Sequence, residues 1–294
     1  MPSNDTRIDE VAPAIYRIST PLSIPGGGFS FNQYLVVDEA PLLFHTGPRQ
    51  LFAGTRAAIE RVMPVAKLRY VGLSHVEADE CGALNEFLAV APLAQPLCGR
   101  IAAMVSVGDY ADRAPRALAD GEELRLGRHA VRWIDTPHVP HGWDCGFLLE
   151  TATRTLLCGD LFTQGGADNP PLTTGDILGP SEAFRAAMDY YAHAPGTRAT
   201  LNRLADRIPC AGKRRRGAHD LGGKAVIIRC GLLELRQGLD GLASVADDDL
   251  RLVADGFRIR CDGRIGEGHR AQRRVVRRTG SQAHVACAAN RHRA

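Results

Sequence analysis

Residues 1–208 should fold as an α/β domain of αββα type, two sheets enclosed between helices, with residues 209–294 adding a poorly structured, Arg-rich extension. The first expectation comes from the order of the apolar patterns, which runs strands, helices, strands, helices. The second comes from charge and aromatic content. Residues 1–208 hold 18 basic and 24 acidic residues; residues 209–294 hold 18 and 9, with Phe257 their one aromatic. A charge reversal of this kind separates two kinds of sequence.

The elements follow in order. Residues 14–18 and 32–37 alternate as strands do, and Pro41–Phe44 reads as a third strand. Between the first two, Ile24–Gly28 reads as a loop. Leu51–Val62 has helical spacing, and Leu68–Leu73 is a short apolar strand that delivers the chain into Ser74-His75. Gly82–Val90 reads as a helix, and Leu97–Val107 as a strand end plus helix. Four short strands come next: Glu123–Leu126, Ala130–Asp135, Cys145–Glu150 and Thr155–Cys158. Ser181 is a candidate N-cap for a helix through Tyr191, and Thr197–Ile208 gives the last helix. Beyond Pro209 the patterns weaken to strand candidates at 225–229 and 257–261 and a helical stretch at 232–240.

Composition narrows the class. Hydrophobic residues make up 45%, enough for a buried core, and no run of eighteen apolar residues suggests a membrane span. The polar start, Met1–Glu10, lacks the basic-then-apolar order of a secretory signal, so a cytoplasmic location is expected. The eight cysteines are scattered and form no CxxC, which argues against zinc-ribbon, redox and rubredoxin-like signatures.

Three patches carry candidate chemistry. In Ser74-His75-Val76-Glu77-Ala78-Asp79-Glu80-Cys81-Gly82, extended backbone would send His75, Glu77 and Asp79 to one side and Val76 and Ala78 to the other. The second patch is Thr136-Pro137-His138-Val139-Pro140-His141-Gly142-Trp143-Asp144. The third is Cys158-Gly159-Asp160-Leu161-Phe162, where an acid ends an apolar strand. Each alone has a bland reading: a solvated loop, a surface or core histidine, a helix cap. Converging, their carboxylates would repel at a cost on the order of several kcal/mol each if buried. Bound cations remove that cost.

The pattern His-x-Glu-x-Asp, a distant His, eighteen intervening residues and an Asp resembles the flavodiiron branch of the metallo-β-lactamase superfamily. The wording His-Val-Glu-Ala-Asp-Glu-Cys-Gly, Pro-His-Val-Pro-His-Gly-Trp and Cys-Gly-Asp-Leu-Phe is most similar to the oxygen-binding diiron proteins of that branch. The resemblance covers residues 14 to about 208. It implies a metallo-β-lactamase-type αββα sandwich holding two iron ions, with zinc or manganese as alternatives. His75, Glu77 and His141 would hold one ion, Asp79 the other, and Asp160 would bridge both. Hydrolases of the superfamily read His-x-His-x-Asp-His; here Glu77 and Glu80 replace two of those histidines, a harder donor set that favours iron or manganese. The last ligand of similar proteins, a His in a Met-His-Gly type motif, has no match. His219 lies at the right distance in an unlike setting, and Glu80 is an alternative oxygen donor.

The resemblance implies a non-haem diiron protein that binds or senses O₂, or that reduces O₂ or NO with electrons from a separate donor protein. No flavodoxin-like FMN domain is seen. The alternative from another class is a binuclear metallo-hydrolase, in which metal-bound hydroxide attacks an ester or phosphoester; no catalytic side chain is assigned for either. A homo-oligomer stays open. Nucleic acid is not expected as a partner, since the basic extension has no interleaved aromatics for stacking. That extension reads as arbitrary codons, which predicts a change of reading frame between about Leu204 and Arg216.

Overall fold

Alternating apolar residues build a long antiparallel start to the first sheet. β1 (Arg7–Ala12), β2 (Ile15–Ile24) and β3 (Gly27–Val36) pair in sequence, and β3 pairs antiparallel with β4 (Leu42–Phe44). From there the sheet turns parallel through β5 (Tyr70–Gly72), β6 (Gln95–Gly99) and β7 (Arg116–Leu118). Parallel neighbours need crossovers. These are supplied by α1 (Phe52–Glu60), by α2 (Ala78–Cys81) with α3 (Leu84–Val90), and by α4 (Arg100–Ala102), a π-helical turn (Ala103–Val107) and α5 (Gly108–Tyr110).

The second sheet is antiparallel, in the order β12 (Ile227–Arg229), β11 (Thr155–Leu157), β10 (Gly146–Glu150), β9 (Ala130–Asp135), β8 (Glu123–Arg125). Helices α6 (Leu178–Met188) and α7 (Thr197–Arg207) come between β11 and β12 in sequence. These elements belong to a computed structural model that describes residues 6–24, 27–207 and 227–229. Among the described residues, no helix is long and apolar enough to cross a membrane.

Side-chain alternation sorts the core into three layers. Ile18, Leu35, Leu43 and Val71 face outward from the first sheet and pack with Ala58 and Ile59 of α1 and Phe87 and Leu88 of α3. Leu42, Phe44 and Leu97 face the other way and meet Val131, Trp133, Leu148 and Leu157 of the second sheet. Phe147, Leu149 and Leu156 cover the outer face of that sheet with Leu201, Leu204 and Ala205 of α7. The result is the expected αββα sandwich. Because β4 and β10 are buried on both faces, they read as unbroken apolar runs rather than alternating ones.

Four local differences from the sequence reading have physical causes. β1 escapes notice because Arg7–Glu10 is charged and half exposed at a sheet edge. β7 is only three residues long. The chain is extended at Glu77 but coils at Ala78, so Asp79 stands on a helical turn and not on the extended run. The helix expected from Ser181 begins at Leu178: Asp176 Oδ1, one residue ahead of the N-cap Ile177, accepts the amides of Leu178 (2.9 Å) and Gly179 (3.3 Å), and Pro180 is tolerated in a first turn. It ends at Met188, where Asp189 takes a left-handed conformation. Of the candidates beyond Pro209, the strand at 225–229 is represented by β12. The strand at 257–261, the helix at 232–240, His219 and the proposed frame change past Arg207 lie outside the described residues.

Candidate metal centre

Three strand ends meet at one place. β5 runs through Leu73 and Ser74 into His75; β9 leads into the loop that carries His141; β11 ends in a 3₁₀ turn, Gly159–Phe162, that carries Asp160. His75 and Asp160 are buried, His141 is partly buried and the Glu77 side chain is 43% exposed. His75 Nε2 lies 3.0 Å from His141 Nε2 and 3.1 Å from Glu77 Oε2, and His141 Nε2 lies 3.1 Å from the same Glu77 oxygen. Asp160 Oδ2 stands 3.8 Å from His75 Nε2 and 3.6 Å from His141 Nε2.

That spacing suits one ion. With donors about 2.1 Å from a first-row metal, atoms at right angles stand about 3.0 Å apart and tetrahedral ones about 3.4 Å. Two imidazole nitrogens and two carboxylate oxygens also match the donor chemistry of iron, manganese or zinc. A second group, Glu77, Asp79 and Glu80, brings three carboxylates within 4.8 Å of one another. Glu77 is common to both groups. Asp79 therefore joins Glu77 and Glu80, and Glu80 is fully buried. His138, the other histidine of its patch, is exposed and belongs to neither group; His219 is outside the described residues.

The loops that carry the donors are tied to one another. Asp144 Oδ2 accepts the Val76 amide at 2.9 Å, joining the His75–Glu77 segment to the His141 loop. Within that loop the Thr136 amide donates to Cys145 O (2.9 Å) and the His138 amide to Gly142 O (2.8 Å). Thr46 holds α2 from the other side, its amide donating to Glu80 O at 2.8 Å and its hydroxyl accepting the Ala83 amide at 3.1 Å. The turn bearing Asp160 is pinned by two neighbouring phenols: Tyr190 donates to Asp160 O (3.0 Å) and Tyr191 to Leu161 O. Burial, and then the nearby Asp160 carboxylate, push the Tyr190 phenol far above its ordinary range, and burial does the same at Tyr191. Both therefore remain donors at any physiological pH.

Sequence reasoning missed Tyr190, Tyr191, Ser74 and His45. His45 is buried behind His75, its Nε2 2.9 Å from Ser74 Oγ. The signal for it is faint: a polar His directly after the apolar strand β4, whose parallel pairing with β5 sets Phe44 opposite Gly72. In front of the donors lies a cavity of about 430 Å³ lined by Glu77, His141, Asp160, Thr163, Phe184, Met188 and Tyr190. Tyr190 meets the His141 ring edge-on at 5.8 Å. The wall is largely apolar and the floor is the donor cluster, a geometry for a small molecule approaching a metal.

A family model described as ODP family beta lactamase matches residues 29–192. The rubredoxin-oxygen oxidoreductase of Megalodesulfovibrio gigas is 28% identical over 170 residues, covering 56% of this chain and 41% of that protein. The nitric oxide reductase of Moorella thermoacetica is 26% identical over 139 residues, covering 47% of this chain and 35% of that protein. The chain thus matches less than half the length of these relatives. The metal-soaked Flv1 flavodiiron core from Synechocystis sp. PCC6803 superposes with a TM-score of 0.68 at 21% identity, over 83% of this chain and 62% of that one. This last likeness is one of fold.

Proposed function

Since the chain belongs to the family described as ODP family beta lactamase, we propose that it is a non-haem diiron protein that takes O₂ or NO as its small ligand and draws electrons from a separate donor. The observation that carries this reading is the convergence of His75, Glu77, His141 and Asp160 within 4.8 Å beneath a largely apolar cavity. In this reading His75, Glu77 and His141 hold one ion, Asp79 holds the second with Glu80 beside it, and Asp160 bridges. Two ferrous ions so held would bind O₂ or NO and provide electrons for its reduction.

The chain's own residues do the rest. Phe184 and Met188 keep the approach apolar, which suits a small uncharged ligand and limits water. Tyr190 keeps its proton and spends it on Asp160 O, so it fixes a donor residue. Asp144 and Thr46 hold the two ends of the segment that presents Glu77. The relatives named above are oxidoreductases, which does not favour the binuclear hydrolase. Anaerobic iron loading followed by elemental analysis and absorption spectra before and after O₂ or NO tests the reading. Two irons per chain and a new near-ultraviolet or visible band are expected. Zinc that iron cannot displace, or metal-dependent ester hydrolysis with no response to either gas, would overturn it.

A further inference from the structure

Behind His75 a line of hydrogen bonds leads away from the donor cluster. Ser74 Oγ lies 2.9 Å from His75 Nδ1 and 2.9 Å from His45 Nε2, and the Ser74 backbone nitrogen lies 3.2 Å from that same His45 nitrogen. All three residues are at least 98% buried. A backbone N–H can only donate, so His45 Nε2 must accept and carries no proton. Between Ser74 Oγ and that nitrogen, only the hydroxyl then has a proton to give. With its proton directed at His45, the hydroxyl meets His75 as an acceptor, so the proton of that bond sits on His75 Nδ1. The other ring nitrogen, His75 Nε2, then faces Glu77 and His141. One backbone amide thus sets the polarity of the whole line.

The surroundings hold this line in place. The His45 amide donates to Gly72 O (2.8 Å) and its ring stacks on Phe44 with centroids 4.3 Å apart. His45 takes a left-handed backbone, φ +66°, which is uncommon outside glycine and recurs at functional positions. Ser74 O accepts the Gly146 amide at 2.9 Å, and a Cβ on Gly159 would stand 2.9 Å from Ser74 Oγ.

We propose that Ser74 and His45 are positioning residues that lock His75 in the Nδ1–H tautomer and so present Nε2 to the ion. The inference rests on the metal-binding reading above. Outer partners of this kind commonly change metal affinity by about 10–100-fold.

The test uses the full chain, metal-free and labelled with ¹⁵N in histidine. Long-range proton–nitrogen spectra should find His45 and His75 both protonated on Nδ1. In Ser74→Ala, His75 should leave that single tautomer, and affinity for Zn(II), or for Fe(II) under anaerobic conditions, should fall about 10–100-fold. Ser74→Thr should restore both readings. His45→Gln, whose side-chain oxygen still accepts, should keep the tautomer that His45→Leu loses. An unaltered chain whose His75 Nδ1 carries no proton overturns the inference. So does unchanged metal affinity in a folded Ser74→Ala variant. An unaltered chain that binds neither metal but shows the Nδ1–H tautomer supports the lock and overturns the proposed function instead.

Discussion

Asp160 is held from several sides. It is buried, its own carbonyl is held by Tyr190, and Tyr191 fixes the next carbonyl along the same turn. If it bridges, Asp160→Ala should lose both ions, whereas Asp79→Ala should lose the second and keep the first. Elemental analysis of the two variants after identical anaerobic loading separates these outcomes, and a fully loaded Asp160→Ala would remove the bridging role. Tyr191→Phe should cost about 1 kcal/mol of stability by leaving Leu161 O short of a donor, read from the denaturation midpoint. The donors themselves could be read in the sequence because strand ends deliver them in short motifs. Their supports could not. His45 is 29 residues from Ser74, and Tyr190 is 30 from Asp160; only the parallel pairing of β4 with β5 and the return of the chain after α6 bring them together.

Between the sheets, Trp133 packs against Gly99 of β6 and Gly146 of β10. A Cβ on Gly99 or on Gly146 would run into its indole, whose Nε1 donates to Asp135 Oδ1 at 2.6 Å. Gly146→Ala should therefore destabilise the fold by about 1–3 kcal/mol through overpacking, measured by urea denaturation; a neutral result would mean the indole can move aside. The β10–β11 turn is closed by a buried carboxylate. Glu150 Oε1 accepts the Ala152 amide at 3.0 Å, Oε2 accepts the Thr153 amide at 2.7 Å and also the Thr153 hydroxyl, and His129 Nδ1 lies 3.1 Å from Oε1. Burial works to raise this carboxyl, but the Thr153, His129 and Ala152 contacts outweigh it and hold it below the ordinary glutamate value. A carboxyl that titrates lower folded than unfolded contributes fully above its unfolded value, and that contribution drains away as pH falls toward the folded one. Glu150→Gln should cost about 1–3 kcal/mol at neutral pH and flatten the loss of stability just below the ordinary glutamate range, seen in urea midpoints at several pH values. Apolar runs such as Leu42–Phe44 and Phe147–Leu149 announced their strands, because burial on both faces leaves no polar residue to confuse the pattern. β1 and the turn at Ala78–Cys81 did not, since charged residues dominate both and their conformation is set by pairing partners and by Thr46.

On the scale of the whole molecule, the donors span residues 75 to 160 and both sheets, so the site is complete only when the sandwich is. An ion that binds only the folded chain should raise its stability by about 2.7 kcal/mol at a hundred times its Kd. Thermal melts with and without anaerobic Fe(II) check this, and Asp160→Ala should show no such shift. For residues 209–294, translating the other two frames past Leu204 should yield a His-Gly pair followed by an amphipathic helix; if neither does, the extension is genuine. The Gly146 amide that donates to Ser74 O joins the strand β10 of one sheet to the segment that presents His75 from the other. That bond makes escape of the ion a matter of rates. Strands that hold to each other at such a point open only in rare excursions, and amide exchange at a position of this kind records how often they occur. If the ion leaves through the same excursions, its residence time and the exchange lifetime of the Gly146 amide should lengthen and shorten together from one variant to the next.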